Sequence, residues 1–204
     1  MMITAIEPRK KGLSALYIDG EFAMKLDTET LLSHRFDVGR EIDDETLLEC
    51  IKASDRKRCK DKAMWLIGYR DRSRRELIAK LKTDYPEEVC TATADRLEEL
   101  GLLNDSRYAR RYAADLINLK HLSERGVRQK LYEKGIDRDL TDEVISELFI
   151  DEKKQIRTII EKKYARALSD EKGQRRCVNA LSRLGFSWSD IKSVLSEYTE
   201  TEEY

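Results

Sequence analysis

Apolar and polar residues alternate in one stretch near the start of the chain, and this is the only region that reads as β-structure. Leu13-Ser14-Ala15-Leu16-Tyr17-Ile18 and Glu21-Phe22-Ala23-Met24-Lys25-Leu26 flank Asp19-Gly20. An Asp-Gly pair supplies the positive φ angles of a tight two-residue turn, so the segment predicts a hairpin. Ile3 to Ile6 is a candidate third strand. Asp27 and Asp43 then stand where N-caps belong, ahead of short apolar sets (Leu31 and Leu32; Leu47, Leu48 and Ile51) at helical spacing.

From about Asp55 onward the apolar positions keep a helical period, and the pattern repeats. Leu81, Leu131 and Leu181 recur every 50 residues, as do Leu77, Val127 and Cys177, while Gly135 and Gly185 hold the same offset. Each repeat reads as three helices, A, B and C. In the first, A runs to about Arg70 with Cys59, Ala63, Leu66 and Ile67 on one stripe. B opens with Ser73 and Glu76 in capping-box register, and C begins at Pro86 and ends at Gly101. In the second, A spans about Asp105 to Lys120, B ends at Gly135, and C carries Leu140, Val144, Ile145 and Leu148. In the third, Ile156, Ile159 and Ile160 mark A, B ends at Gly185, and Ser187 starts C ahead of Ile191, Val194 and Leu195. The expected architecture is mainly α. A hairpin-bearing extension (1–54) precedes three three-helix repeats (55–103, 104–150 and 151–198), and an acidic tail (199–204) follows.

Composition supports helices with wide solvated faces. Charged residues make up 39% of the 204 positions, with only 9 glycines and 2 prolines. The net charge of −1 and the 40% hydrophobic share argue for a folded chain rather than a disordered one. The charge is uneven, however. Arg9-Lys10-Lys11, Arg56-Lys57-Arg58 with Lys60 and Lys62, and Arg70, Arg72, Arg74 and Arg75 crowd the first half. Asp137–Glu152 and Glu197–Glu203 are acidic. Local contact with nucleic acid fits this balance; coating of DNA by a globally basic surface does not. No apolar run approaches the roughly 18 residues of a membrane span, and the first residues lack a secretory pattern. Cys50, Cys59, Cys90 and Cys177 fall at neither metal-ligand nor disulfide-scaffold spacing and read as small helix-face residues. A cytoplasmic location is expected.

Little in the chain suits catalysis. His34 and His121 lie far apart, each beside a helix boundary, and read as structural. There is no glycine-rich phosphate loop, zinc pattern or nucleophile elbow, and the paired carboxylates fall at helix starts and on wet faces. A non-enzyme without metal or cofactor is expected. Trp65 and Tyr69, and Tyr108 and Tyr112, are i, i+4 pairs. They suit stacking on single-stranded DNA, but packing inward or against a neighbouring repeat is the reading favoured for such pairs.

The arginines are more suggestive, since a guanidinium offers a planar fork to phosphate or carboxylate. Arg70, Arg72, Arg74 and Arg75 surround the first A–B turn, Arg107, Arg110 and Arg111 follow on the next A helix, and Arg125, Arg128 and Lys130 lie beyond. They are candidate contacts to DNA or to an acidic protein surface, with a solvated face as the plainer alternative.

Here the residues resemble a family. Ala63, Leu66, Tyr69-Arg70-Asp71-Arg72-Ser73 and Glu76-Leu77 are similar to the first-repeat signature of RecX proteins. So are Leu97-Glu98-Glu99-Leu100-Gly101-Leu102-Leu103-Asn104-Asp105 with Arg107-Tyr108-Ala109 and Tyr112, and Arg128-Gln129-Lys130-Leu131-Tyr132-Glu133-Lys134-Gly135-Ile136. The likeness is good over about 55–150 and weaker in the third repeat. Asp71 stands where relatives commonly have proline, and Asn104 where aspartate is usual. The resemblance implies a monomeric regulator that binds the RecA recombinase and its filament on DNA, with single-stranded DNA as a further partner. It would modulate, and most of all inhibit, recombinase, ATPase and coprotease functions in DNA repair and the SOS response. The alternatives are a stand-alone helical nucleic-acid-binding module and a generic protein-interaction scaffold.

Overall fold

The computed structural model describes residues 1–199; the acidic tail read at 199–204 lies outside the described residues but for the backbone of Thr199. By its internal contacts the chain divides into two compact units, Met1–Leu103 and Asn104–Tyr204.

The first unit opens with a three-stranded antiparallel sheet of order β1-β2-β3, built from β1 (Ile3–Pro8), β2 (Leu13–Ile18) and β3 (Glu21–Asp27). Asp19 and Gly20 take φ of 49° and 89°, the two positive angles the hairpin turn requires. Alternation along β2 puts Leu16 into a small core with Ile3, Leu26, Leu31 and Phe36. Asp27 caps α1 (Thr28–Ser33) by accepting from Thr30 N.

Helix α2 (Asp44–Tyr69) is one uninterrupted element of 26 residues that carries the chain from the sheet into the first repeat. No glycine, proline or competing cap interrupts residues 44–67, so nothing local ends it. Its buried positions pass from Cys50 and Ser54, toward the sheet, to Cys59, Ala63 and Leu66, which pack on α3 (Arg74–Leu81) and α4 (Glu87–Glu99). Proline 86 occupies the cap position of α4 with ψ 146°, one residue ahead of the first-turn place its ring suggests. Gly68 is helical and exposed with open space where a Cβ would stand. Gly68→Ala is therefore expected to raise the stability of the protein by about 0.5–1 kcal/mol, because alanine has less backbone freedom to lose. Urea denaturation checks this.

In the second unit, α5 (Asp105–Asn118), α6 (Glu124–Glu133) and α7 (Arg138–Ser146) form one triplet. The second triplet is α8 (Glu152–Ile159), α9 (Glu171–Arg183) and α10 (Trp188–Thr199). Its A helix differs from a plain helix: α8 passes into a π-helical turn at Ile160–Tyr164 and a 3₁₀ turn at Ala165–Ala167. Ile156, Ile159 and Ile160, spaced i, i+3 and i+4, share its buried face. The B helices obey the 50-residue register throughout. Leu77, Val127 and Cys177, and Leu81, Leu131 and Leu181, are all fully buried. Each repeat also reuses one stop: after α4, α6 and α9, Gly101, Gly135 and Gly185 take positive φ. The following residue then donates to a carbonyl five residues back, for example Ile136 N to Leu131 O at 3.1 Å.

Candidate partner interface

The first A–B turn joins the end of α2 to α3. Ser73 Oγ accepts from Glu76 N at 3.2 Å and starts α3. Arg72 is 9% exposed, and its Nε donates to Leu66 O at 3.3 Å, a carbonyl in the last turn of α2 that otherwise accepts only a long 3.5 Å bond from Arg70 N among the described hydrogen bonds. Its guanidinium therefore serves the turn and is withdrawn from the accessible cluster. Arg74 forks from α3 onto Asp95 and Glu98 of α4, which hold its proton firmly and tie B to C. Arg70 and Arg75 are exposed, with Arg70 lying 3.3 Å from the Glu76 carboxylate.

The second repeat divides its cations in the same way. Arg110 reaches from α5 to Glu143 and Glu147, the latter at 2.7 Å. Arg128 bridges Glu124 and Asp142, and Lys130 pairs with Glu133 at 2.7 Å. The hydrogen bonds that Arg110 donates to Glu147 and Glu143 push its proton affinity up, and the one Arg128 donates to Glu124 does the same for Arg128. Arg107, Arg111 and Arg125 are exposed; Arg107 and Arg111 share one face of α5. Of the ten cations singled out in the sequence, five (Arg70, Arg75, Arg107, Arg111 and Arg125) are exposed, Arg72, Arg74, Arg110 and Arg128 brace the helix triplets, and Lys130 pairs along α6.

The aromatic pairs separate too. Tyr108 is 8% exposed and stacks with Tyr112 at the edge of the second-repeat core, as packing predicts. Trp65 and Tyr69 do not pack inward. They are 68% and 77% exposed and stack on each other with centroids 6.2 Å apart and planes 17° from parallel. The buried stripe Cys59, Ala63 and Leu66 lies about 100° around α2 from them, a phase the sequence already contains. The first repeat thus presents two aromatic rings beside the exposed Arg70.

A further set of residues is visible only in the structure. The turn between α5 and α6 is clamped by the third repeat. Leu184 O accepts from Ser123 N at 3.2 Å and from Ser123 Oγ at 3.1 Å. Glu152 Oε1 accepts from Glu124 N at 2.9 Å, and burial pushes the Glu152 carboxyl above its ordinary range. The Gln155 amide, with its nitrogen toward the turn, donates to Leu122 O at 3.1 Å and His121 O at 3.2 Å. Gly126 and Gly185 allow the approach: a Cβ on Gly126 would fall 2.4 Å from Leu184 O, and one on Gly185 2.5 Å from Ser123 Oγ. The second and third repeats are thereby held as neighbours with a defined register.

Among the described residues no group of three His, Cys, Asp or Glu side chains is placed to hold a metal, and no helix is long and apolar enough to cross a membrane. The four cysteines are buried and unbridged, and burial pushes the Cys50, Cys90 and Cys177 thiols up to about 11, which keeps them protonated and inert.

Comparison with known proteins gives this arrangement a context. Residues 59–97 match the model of the first three-helix domain of RecX, and residues 104–145 that of the second. A regulatory protein RecX of Clostridioides difficile is 28% identical over 133 residues, 64% of this chain and 63% of that protein. One of Levilactobacillus brevis is 29% identical over 132 residues, covering 64% and 50%. The match therefore spans between half and two thirds of those relatives' length. Two crystal structures are similar. One of a regulatory protein RecX has a TM-score of 0.64 at 24% identity over 95% of this chain and 98% of that one. One of RecX from Lactobacillus salivarius has a TM-score of 0.61 at 25% identity over 72% and 99%. With both three-helix domains present in order, on a fold shared with solved members, the chain belongs to the RecX family of regulatory proteins.

Proposed function

We propose that this protein acts in the bacterial cytoplasm as a monomeric regulator of RecA. It binds RecA and its filament on DNA and limits strand exchange, DNA-dependent ATP hydrolysis and the coprotease activity behind the SOS response. The observation that carries this reading is the ordered pair of RecX three-helix domains at 59–97 and 104–145. The outward arginines support it, because a filament on DNA presents phosphates and carboxylates for planar forks to engage. The proposed contacts are Arg70, Arg75, Arg107, Arg111 and Arg125. Arg74, Arg110 and Arg128, partly buried and tied from one helix to the next, and Lys130, paired along α6, contribute indirectly.

The test is ATP hydrolysis by the cognate RecA on single-stranded DNA, titrated with this protein below one copy per RecA. Inhibition is expected, and charge reversal at Arg70 and Arg107 is expected to raise the concentration for half-inhibition at least about tenfold, as loss of several charge-assisted contacts does. Wild-type protein without effect would overturn the RecA reading; unchanged inhibition by the charge-reversed variant would remove these arginines from the interface. The exposed Trp65–Tyr69 stack favours a second reading, direct binding of single-stranded DNA. That reading predicts tight DNA binding without RecA, falling steeply with salt and lost in Trp65→Ala, Tyr69→Ala.

A further inference from the structure

A groove of about 580 Å³ runs between α2 and α4 in the first unit, away from the A–B turn and its arginines. One wall is a line of cations. Lys52, Arg56 and Lys60 stand on successive turns of α2, about 6 Å apart along its axis, and all three are exposed. Among the described residues none of the three has a carboxylate within ion-pair distance, whereas their helical neighbours do: Lys57 with Asp27, Arg58 with Asp55, and Lys62 with Asp84. The floor is aliphatic, formed by Pro86, Val89, Ala92 and the edge of Leu97, and the Thr93 hydroxyl beside it is spent on Val89 O. Arg96 closes the far end.

A row of unpaired like charges costs repulsion along one helix face and brings the isolated protein no compensating contact. Set over an apolar trough, it is complementary to a ligand with carboxylates on one edge and aliphatic side chains on the next. The volume suits a few such side chains, within the range of ordinary binding clefts. A nucleic acid fits less well: its phosphates match the cations, but the lining holds no aromatic ring for a base and the floor is aliphatic.

We infer that the α2–α4 groove is a docking site for an acidic amphipathic helix of a partner protein. Lys52, Arg56 and Lys60 would receive carboxylates spaced one helical turn apart, and the Pro86–Val89–Ala92 floor would receive the apolar stripe. This inference stands apart from the RecA reading, and its test contains no RecA.

The probe is a fluorescein-labelled helical peptide of about 15 residues, leucine on one stripe and glutamate on the adjacent one. Binding to the full chain is followed by anisotropy, beside a lysine-for-glutamate counterpart and a labelled oligothymidylate. The acidic peptide is expected to bind, more weakly as salt rises, and the lysine peptide is not. The triple variant Lys52→Ala, Arg56→Ala, Lys60→Ala is expected to lose at least about tenfold in affinity, and Ala92→Trp, which fills the floor, to lose a similar factor. All four positions are exposed, so circular dichroism of both variants should match wild type. No binding of the acidic peptide, equal binding of the lysine peptide, or affinity unmoved by both variants would overturn the inference. Oligothymidylate binding that the triple variant abolishes, with no acidic-peptide binding, would assign the groove to nucleic acid instead.

Discussion

Gly126→Ala is expected to destabilise the second unit by about 2–3 kcal/mol, lowering its melting temperature by roughly 10 °C, although alanine is the better helix former. The added methyl would lie 2.4 Å from Leu184 O and 3.3 Å from two side-chain carbons of Leu122. Leu184 O cannot simply withdraw, because it accepts from both the nitrogen and the hydroxyl of Ser123. Relief of the clash must move the α9–α10 turn off α6 and give up those bonds and the Glu152–Glu124 contact with them. In a repeat protein, stability is a sum of repeat terms and nearest-neighbour terms, so loss of the junction weakens both triplets. Gly185→Ala should act in the same direction, since Gly185 combines φ +97° with a Cβ position 2.8 Å from Gly126 N. Differential scanning calorimetry decides it. The contrast with Gly68→Ala is the sharp part: one chemical change, opposite signs, set by whether a neighbour's carbonyl occupies the space. A Gly126→Ala protein as stable as wild type would mean that this close approach is absent in solution.

Asp27→Ala should cost the first unit about 2–3 kcal/mol. The Asp27 carboxylate accepts from Thr30 N at 2.9 Å and Thr30 Oγ1 at 3.0 Å, and Lys57 donates to it at 2.8 Å. Its own backbone nitrogen donates to the buried Ser54 hydroxyl at 2.8 Å. One residue thus joins the end of β3, the start of α1 and the middle of α2. Cap loss accounts for about 1 kcal/mol, and the remainder comes from an unanswered threonine hydroxyl and a lysine left with Glu29 alone at this site. Burial pushes the Asp27 carboxyl up, but the hydrogen bonds from Lys57 and Thr30 outweigh it and hold the group below its ordinary value of 3.8. A depressed folded-state value means that the contribution is present above the unfolded value and lost as pH falls through the folded one. Wild-type protein should therefore shed this increment below about pH 4, and Asp27→Asn, which keeps the cap acceptor without the charge, should not. Urea denaturation of the three proteins from pH 7 to pH 3 gives the comparison; parallel curves for wild type and Asp27→Asn would refute the role of the charge.

Both substitutions show how far the sequence reads. Asp27, Asp43 and Ser73 are legible as caps, Asp19-Gly20 as a turn, and Gly101, Gly135 and Gly185 as stops, because each answers a backbone requirement within a few residues. The leucines at 81, 131 and 181 are legible because period and register repeat. The RecX likeness rests on the same local signals in their order.

Other properties depended on what stands opposite in space. The sheet and the first repeat share α2 because its buried stripe finds Leu26 and Leu31 at one end and Leu77 and Leu97 at the other. Arg72 is spent inside its own turn because the chain folds its side chain back onto Leu66 O at the end of α2, while Arg70, two residues away, faces out. Trp65 and Tyr69 are exposed because no described element covers that side of α2. Gly126 reads in sequence as a mere weakness in a helix; only the carbonyl of Leu184, 58 positions along the chain and brought against it by folding, makes it a requirement. The helices, their caps and stops, the repeat and the family are all legible along the chain, because each rests on neighbours a few residues away or on a fixed period. Which arginines and aromatic rings remain available to a partner was decided by the tertiary structure, since exposure and ion pairing are properties of neighbours that periodicity does not name.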